Sequence, residues 1–387
     1  MKILTIAATP FFSDRGCHVR IFNAAKYFEK FGAKVKIATY FSGENAGDLD
    51  IERIKKVSWY KRTAPGFSWG KFWLDLKLIF LCRKIIKEFQ PDIIHAHMYE
   101  GLGIGYVAKR MAFSNIPIVV DVQADLEEEF RNYNRRNYIA RWLFVWLSRR
   151  LINCCDWLVL SSENVRPHME KIYKWKDKIT VVRDGINLDL FSNLIEPGKK
   201  EKEKIEEIEK WKKGSKLLVY IGGLSDNKGV GELLEAFEKL LRVPSSQATN
   251  WKLLIGGFGE DEEKYKKFVF EKKIEDYVYF AGRIKFFLLP AYLALGEAAI
   301  DPKKNSTESS GKLVNLMAAK LPIICFDNDF NRARVGEKGY YLKDFSELEN
   351  ILAKIGEKER INYNLEDLSE EKEIRKLYNI FGQLISP

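Results

Sequence analysis

The chain has 387 residues, 46% hydrophobic and 30% charged, with a net charge of +10 at neutral pH. That length exceeds one ordinary core and implies two domains, and the composition is that of a globular chain rather than a disordered one. The positive balance favours anionic partners (nucleotides, nucleic acid or a lipid headgroup surface) without choosing among them. Scarce glutamine beside abundant Lys, Glu, Ile and Tyr fits a thermophilic source. Five cysteines form an odd set with no metal-ligand spacing, which points to a reducing, cytoplasmic setting. MKILTIAATPFF reads as a strand without the cleavage-like site of a signal peptide, and no apolar run approaches the ~20 residues that span a bilayer.

In chain order, KILTIAA (2–8) reads as a buried strand, followed by a loop with Ser13, Arg15 and Gly16 and a helix from about His18 to Phe31. KVKIATY, DIIHAH (92–97), IPIVVDVQ (116–123), DWLVLSS (156–162) and TVVRDGI (180–186) continue the series with helical stretches between. Strands that are apolar throughout and alternate with helices predict a parallel sheet covered on both faces. EPGKKEKEKIEEIEKWKKGSK (196–216) is dense in charge and reads as a solvated linker or a surface helix. KLLVYIGGLSDNKGV (216–230) then begins the pattern afresh, and WKLLIGGFGEDEE, YVYFAGRI, AAID (298–301) and IICF supply further strands. The two halves form a weak internal duplication, each opening on a strand and a glycine loop. The last segment, SEEKEIRKLYNIFGQLI (369–385), is an amphipathic helix that can pack back on the first domain. The expected division is 1–192 plus 370–387 against 193–369, with 193–216 as a charged linker.

Two stretches carry chemistry. In IGGLSDNKGV, Gly222 and Gly223 stand at a strand end with Lys228 five residues on; glycines let backbone approach a phosphate, and lysine supplies the neutralising charge. The stretch is not a Walker A motif, and GGFG (256–259) reads as a structural βα turn. In TESSGKLVNLMAAKLPIIC (307–325), a polar turn leads from AAID into a helix that turns Leu313, Leu316 and Met317 inward and stops at Pro322, a βαβ unit. Its first turn leaves backbone N–H groups beside Ser309, Ser310 and Gly311, which serve either as an ordinary N-cap or as an anion site. Two such domains leave a cleft between the carboxyl ends of their strands, where ligands of open parallel sheets bind.

YIGGLSDNKGVGELLEAF, LLIGGFGEDEEKYKKF, VYFAGRI, the stretch from Asp301 to Pro322 and VVRDGINLDLF resemble, in order and spacing, the motifs of glycosyltransferase family 4. RGCHVRIFNAAKYFEKFGAKVKIATY and PDIIHAH are similar too, and the resemblance covers nearly the whole chain apart from 50–90 and 195–215. It implies a GT-B fold, two Rossmann-like parallel-sheet domains facing each other, and a retaining enzyme using a UDP- or GDP-linked sugar without a metal or other cofactor. The family's pyrophosphate-binding lysine falls on Lys228, while the arginine usually five residues before it falls on Gly223. Its paired glutamates fall on Asn315, for the ribose, and on Glu308 with one residue fewer between them, or on Thr307 if no gap is allowed. A carboxylate alone accepts two strong hydrogen bonds from sugar hydroxyls, which selects Glu308.

The family's N-terminal glycine loop matches Gly16, with His18 following at a helix start, as a cap or packing residue or on the acceptor side. The histidine that in many relatives faces the reaction centre matches Gln123, which can hydrogen-bond but not act as an acid or base. Asp121 shares its strand face, so Asp125 in the next loop is the freer carboxylate. His95 and His97 resemble the family's strand end, and no third metal ligand is evident beside them.

WYKRTAPGFSWGKFWLDLKLIFLCRKIIK (59–87) and RNYNRRNYIARWLFVWLSRR (131–150) mix basic and aromatic residues. They fit helices at an anionic membrane interface or core helices with a solvated basic face. No nucleic-acid-binding module is recognisable. The expectation is a cytoplasmic, peripheral enzyme at the inner membrane face that passes a sugar to a lipid-linked or polysaccharide acceptor. A sugar-nucleotide epimerase of the same fold and a non-catalytic membrane scaffold are the competing readings. The scaffold gains from the departures at Gly223, Asn315 and Gln123.

Overall fold

A computed structural model describes the chain apart from residues 61–68, 124–137, 193, 243–249, 305–310, 357–358 and 386–387. The chain divides into two compact units, Met1–Asp184 with Glu370–Pro387, and Gly185–Ser306 with Ser310–Ser369.

The first unit is built on β1 (Lys2–Ala7), β2 (Lys34–Thr39), β3 (Ile51–Arg53), β4 (Ile93–His97), β5 (Ile118–Val122), β6 (Trp157–Leu160) and β7 (Ile179–Val181). They form one parallel sheet in the order β3-β2-β1-β4-β5-β6-β7. β4 and β5, mostly apolar, are buried at every position, as central strands with helices on both sides must be. The pleat sorts their side chains by parity. Leu4, Ile6, Ile94, Ala96, Val120 and Val122 pack with Leu78, Cys82 and Leu102, which come from the helices Trp69–Phe89 and Met98–Met111. His95, on the other face, meets Phe28 of the helix Gly16–Lys30 and Phe381 of the helix Glu370–Ile385, with ring centroids 5.6 and 5.5 Å away. The final amphipathic helix therefore does pack on the first domain. Ile374, Leu377, Ile380 and Phe381 form its buried stripe.

The second unit repeats the plan with β8 (Lys216–Ile221), β9 (Trp251–Gly256), β10 (Val278–Gly282), β11 (Ala298–Asp301), β12 (Ile323–Phe326) and β13 (Tyr340–Leu342), in the parallel order β10-β9-β8-β11-β12-β13. This is the order of the first six strands of the first sheet, so the internal duplication is topological. The charged segment is not a solvated linker. Lys199–Lys212 is a helix whose Ile205, Ile208 and Trp211, one turn apart, pack onto the β8–β11 core, with the charges on the other face. Lys213 and Gly214 stop it in left-handed backbone.

In each sheet the order reverses direction beside the first strand, at β1/β4 and at β8/β11. Loops at the carboxyl ends of such paired strands diverge to opposite faces and leave the opening where doubly wound sheets bind ligands. These two places position everything below.

Candidate active site

In the second unit, β8 ends at Ile221, and Gly222 and Gly223 begin a loop that closes in the short turn Asp226–Lys228 before the helix Val230–Leu241. Gly229 holds φ +76°, and a Cβ there would overlap the Pro302 carbonyl oxygen, just past the end of β11. Glycine is thus what lets the two loops of the switch point lie directly against each other. From the other side Gly257, with φ +139°, lets the GGFG turn close onto the Gly222 carbonyl, and Gly222 N–H donates to Gly256 O at 2.9 Å. The structural reading of GGFG follows from that close approach. Asp226 accepts from Lys264 Nζ at 2.7 Å, which holds its carboxyl below the ordinary range and fixes the turn. The half-buried Lys228 stands on this clamped loop.

Gly223 behaves differently. It is exposed, its φ is ordinary, and a Cβ would meet nothing within 4 Å among the described residues. The fold does not demand glycine there; Gly16 at the first position of its helix is equally open. Bare backbone at both switch points is what close approach of a ligand needs. Gly311 opens the helix Gly311–Ala318, and Asn315 Nδ2 donates to Gly311 O at 2.9 Å, which leaves its oxygen to accept from a hydroxyl. Leu313, Leu316 and Met317 are buried as the spacing predicts. Glu308, Ser309, Ser310 and Asp125 lie outside the described residues.

In the first unit, His18 faces neither solvent nor an opening. Its ring is 0% exposed; Nδ1 accepts from Ser13 N–H at 2.9 Å, and Nε2 lies 2.7 Å from Thr9 Oγ1. Both nitrogens are spent fastening the loop after β1, so of the two readings the packing role is the one the geometry gives. Gln123, just past β5, accepts at its backbone oxygen from Ser161 Oγ at 2.9 Å, while its side-chain Nε2 is buried without a partner among the described residues. It lines a cavity of about 170 Å³ at the β1/β4 switch point, together with Thr9, Tyr40, Tyr60, His97 and Glu100.

Sequence reasoning missed the centre of this region. Arg20 Nε and Nη2 donate to the two oxygens of Asp121 at 2.7 and 3.0 Å, Nη1 donates to Asp184 at 2.8 Å, and Nη2 also reaches Val182 O. Burial by itself would lower its basicity, but Asp121 and Asp184 outweigh that and hold the guanidinium charged. A charged residue five positions into a helix reads as surface unless a buried acid is known to face it. Asp121 also supplies the third ligand that the sequence lacked, since donor atoms of His95, His97 and Asp121 all lie within 4.8 Å of one another. Yet both Asp121 oxygens are engaged by Arg20, so a dication would have to compete with a resident buried cation. His97 is pulled down to about 3 by burial and then by the Arg20 charge, so it is neutral, and both its nitrogens lack a hydrogen-bond partner among the described residues.

Two doubly wound parallel sheets, each with an open switch point, define a class, and comparison identifies it. A family model described as Glycosyltransferase Family 4 matches residues 15–190, and one described as Glycosyl transferases group 1 matches residues 201–383. The fold is GT-B. Sucrose-phosphate synthase from Thermosynechococcus elongatus aligns with TM-score 0.76 at 16% identity, covering 99% of this chain and 98% of its own. Anabaena HepE, solved in complex with UDP and glucose, aligns with TM-score 0.72 at 16% identity, over 99% of this chain and 100% of its own. In sequence, the chain is 25% identical over 176 residues to the UDP-Gal:alpha-D-GlcNAc-diphosphoundecaprenol alpha-1,3-galactosyltransferase of Escherichia coli, 44% of this chain and 43% of that protein. It is 22% identical over 272 residues to an uncharacterized glycosyltransferase of Methanocaldococcus jannaschii, 67% of this chain and 61% of that protein. The matches thus span less than two thirds of these curated relatives. The chain belongs to the family 4 type of glycosyltransferases.

Proposed function

We propose that the protein moves a sugar, with retention of configuration, from a nucleoside diphosphate to a hydroxyl of a lipid-linked or polysaccharide acceptor. The observation that carries this is the β8/β11 switch point, where a clamped glycine loop presents Lys228 beside open backbone at Gly223. Departure of the diphosphate builds negative charge on its terminal phosphate, and a lysine and N–H groups already aimed there lower the barrier without reorganising. Attack on the face that the diphosphate leaves, with the departing phosphate taking the hydroxyl proton, retains configuration. Glu308 holds the sugar hydroxyls and Asn315 the ribose in this scheme, as the resemblance implies, and no metal or cofactor enters it.

The names of the relatives favour UDP as donor nucleotide and a lipid diphosphate as the acceptor's carrier. The first unit suits a membrane surface. Phe72, Trp73 and Phe80 are exposed on the helix Trp69–Phe89, and Trp146 and Leu147 are exposed on the helix Tyr138–Leu151 near Arg149 and Arg150. Exposed aromatics among basic residues are the pattern of a helix lying at an anionic interface. No described helix is long and apolar enough to cross a membrane. Placement on the cytoplasmic face is part of the proposal.

Thermal-shift measurements with UDP, GDP and ADP, followed by incubation of labelled UDP-sugars with a membrane lipid extract, test it. One diphosphate raising the melting temperature and label entering the lipid fraction are expected. A scaffold responds to none of the three, and an epimerase converts donor without acceptor; either result overturns the reading.

A further inference from the structure

Lys312 is the second residue of the helix Gly311–Ala318. Its Nζ lies 2.7 Å from Asp301 Oδ1 and 5.0 Å from the centroid of the Tyr220 ring. Asp301 ends β11, and its side chain is 5% exposed against 25% for Lys312. Tyr220, on β8, donates its hydroxyl to Gly223 O at 2.8 Å. The aliphatic stem of Lys312 lies along the glycine turn, since a Cβ on Gly222 would come 3.1 Å from Lys312 Cδ. The ends of β8 and β11 thus hold one lysine against the bare Gly222–Gly223 backbone, on the loop that also carries Lys228.

Helix stability does not account for this lysine. A cation in the first turn opposes the helix dipole, and pairing it with one buried carboxylate adds a desolvation cost that an apolar pair of the same volume avoids. Positive charge gathered at side-chain-free backbone becomes favourable once an anion sits there. We infer that Lys312, positioned by Asp301 and Tyr220, is a second cation for the donor diphosphate, occupying the place that the bare Gly223 leaves without a charged side chain. The inference rests on the proposed donor site and adds a residue to it. Asp301 acts as a positioning residue, and Lys312 touches the phosphate.

Calorimetric titration of UDP into wild type, K312M, K312R and the double variant D301N/K312M tests this, with uridine binding followed by saturation-transfer NMR. Removing one charge-assisted hydrogen bond predicts UDP binding weaker by about tenfold or more in K312M. Uridine binding is expected to stay unchanged, and K312R to recover most of the loss. The double variant removes the buried negative charge that K312M leaves without its lysine, so it reports the same UDP loss even if K312M folds poorly. Equal UDP affinity in wild type and the folded variants overturns the inference while leaving the donor site standing. Parallel loss of UDP and uridine overturns it too, because that is the signature of a structural lysine. A wild type that binds none of UDP, GDP and ADP removes the donor site and Lys312 with it.

Discussion

Replacing Arg20 by methionine removes the cation on which the first unit is centred. The guanidinium makes hydrogen bonds of 2.7–3.0 Å to Asp121, Asp184 and the Val182 carbonyl. The Asp121 side chain it leaves behind is 2% exposed. Orphaning one partner of a buried pair costs about 3–5 kcal/mol. For a unit of this size each kcal/mol moves the melting temperature by roughly 2–4 °C, so R20M should lower the first unit's transition by about 6–20 °C.

The pH dependence makes this prediction specific. Burial, and after it the Arg20 charge, keeps His97 neutral down to about 3, against 6.5 for the free side chain. The unfolded chain binds a proton at His97 below its ordinary value and the folded chain does not. Wild-type stability therefore falls as pH drops through the window from 6.5 to about 3. In R20M the repelling guanidinium is gone, and His97 Nδ1, 3.6 Å from Asp121 Oδ2, can charge against the orphaned carboxylate. The deficit of R20M should accordingly shrink between about pH 7.5 and pH 5, and R20M/D121N should recover part of it at all pH values. Scanning calorimetry of the three proteins across that range is the assay. A deficit under about 2 °C, or one that does not narrow on acidification, refutes the argument.

Three further outcomes are expected, the one at Glu308 on the strength of the resemblance alone. Lys228→Ala should weaken nucleoside-diphosphate binding about 10- to 100-fold, read by calorimetry, since a charge-assisted hydrogen bond contributes about 1.5–3 kcal/mol. Glu308→Ala should lower turnover by orders of magnitude with the melting temperature unchanged; near-normal transfer would remove it from the sugar site. Glu370, fully buried against Asn23, has its carboxyl pushed up to about 8 by burial, so its stabilising contribution is present below 4.5 and lost as pH rises through about 8. Glu370→Gln should flatten that alkaline fall in a melting-temperature profile.

The fold was legible because its signals repeat. Every central strand is a short, mostly apolar run, and the parity that sorts Ile94 from His95 follows from the pleat alone. The helix Lys199–Lys212 was obscured because one buried and two partly buried residues in fourteen are outvoted by charge in any composition count. The Lys228 loop could be placed from its glycines, since strand ends and turns leave local marks. Arg20, Asp121 and Asp184 could not be joined, because they are 101 and 164 positions apart and a charge leaves no local mark of burial. Lys312 was passed over for the same reason: its meaning lies in Tyr220 and Asp301, on two other strands.

The two units share one strand order and use its switch point in opposite ways. At β1/β4 the opening is lined by aromatic and neutral polar groups together with Arg15 and the paired Lys71 and Glu100, with Arg20 spent behind it on Asp121 and Asp184. His97 and the Gln123 amide are left with unmet hydrogen-bonding capacity at its wall. Such a wall suits uncharged hydroxyls, whose bonds satisfy groups that are otherwise costly to bury. At β8/β11 the opening is bare glycine backbone with lysines at its rim, which suits a doubly charged phosphate and suits a neutral sugar poorly. On the proposed reading, this asymmetry separates the group that holds a diphosphate from the group that holds an alcohol. It arises here by varying the βα loops on one duplicated sheet plan, while the strands beneath them stay apolar and interchangeable.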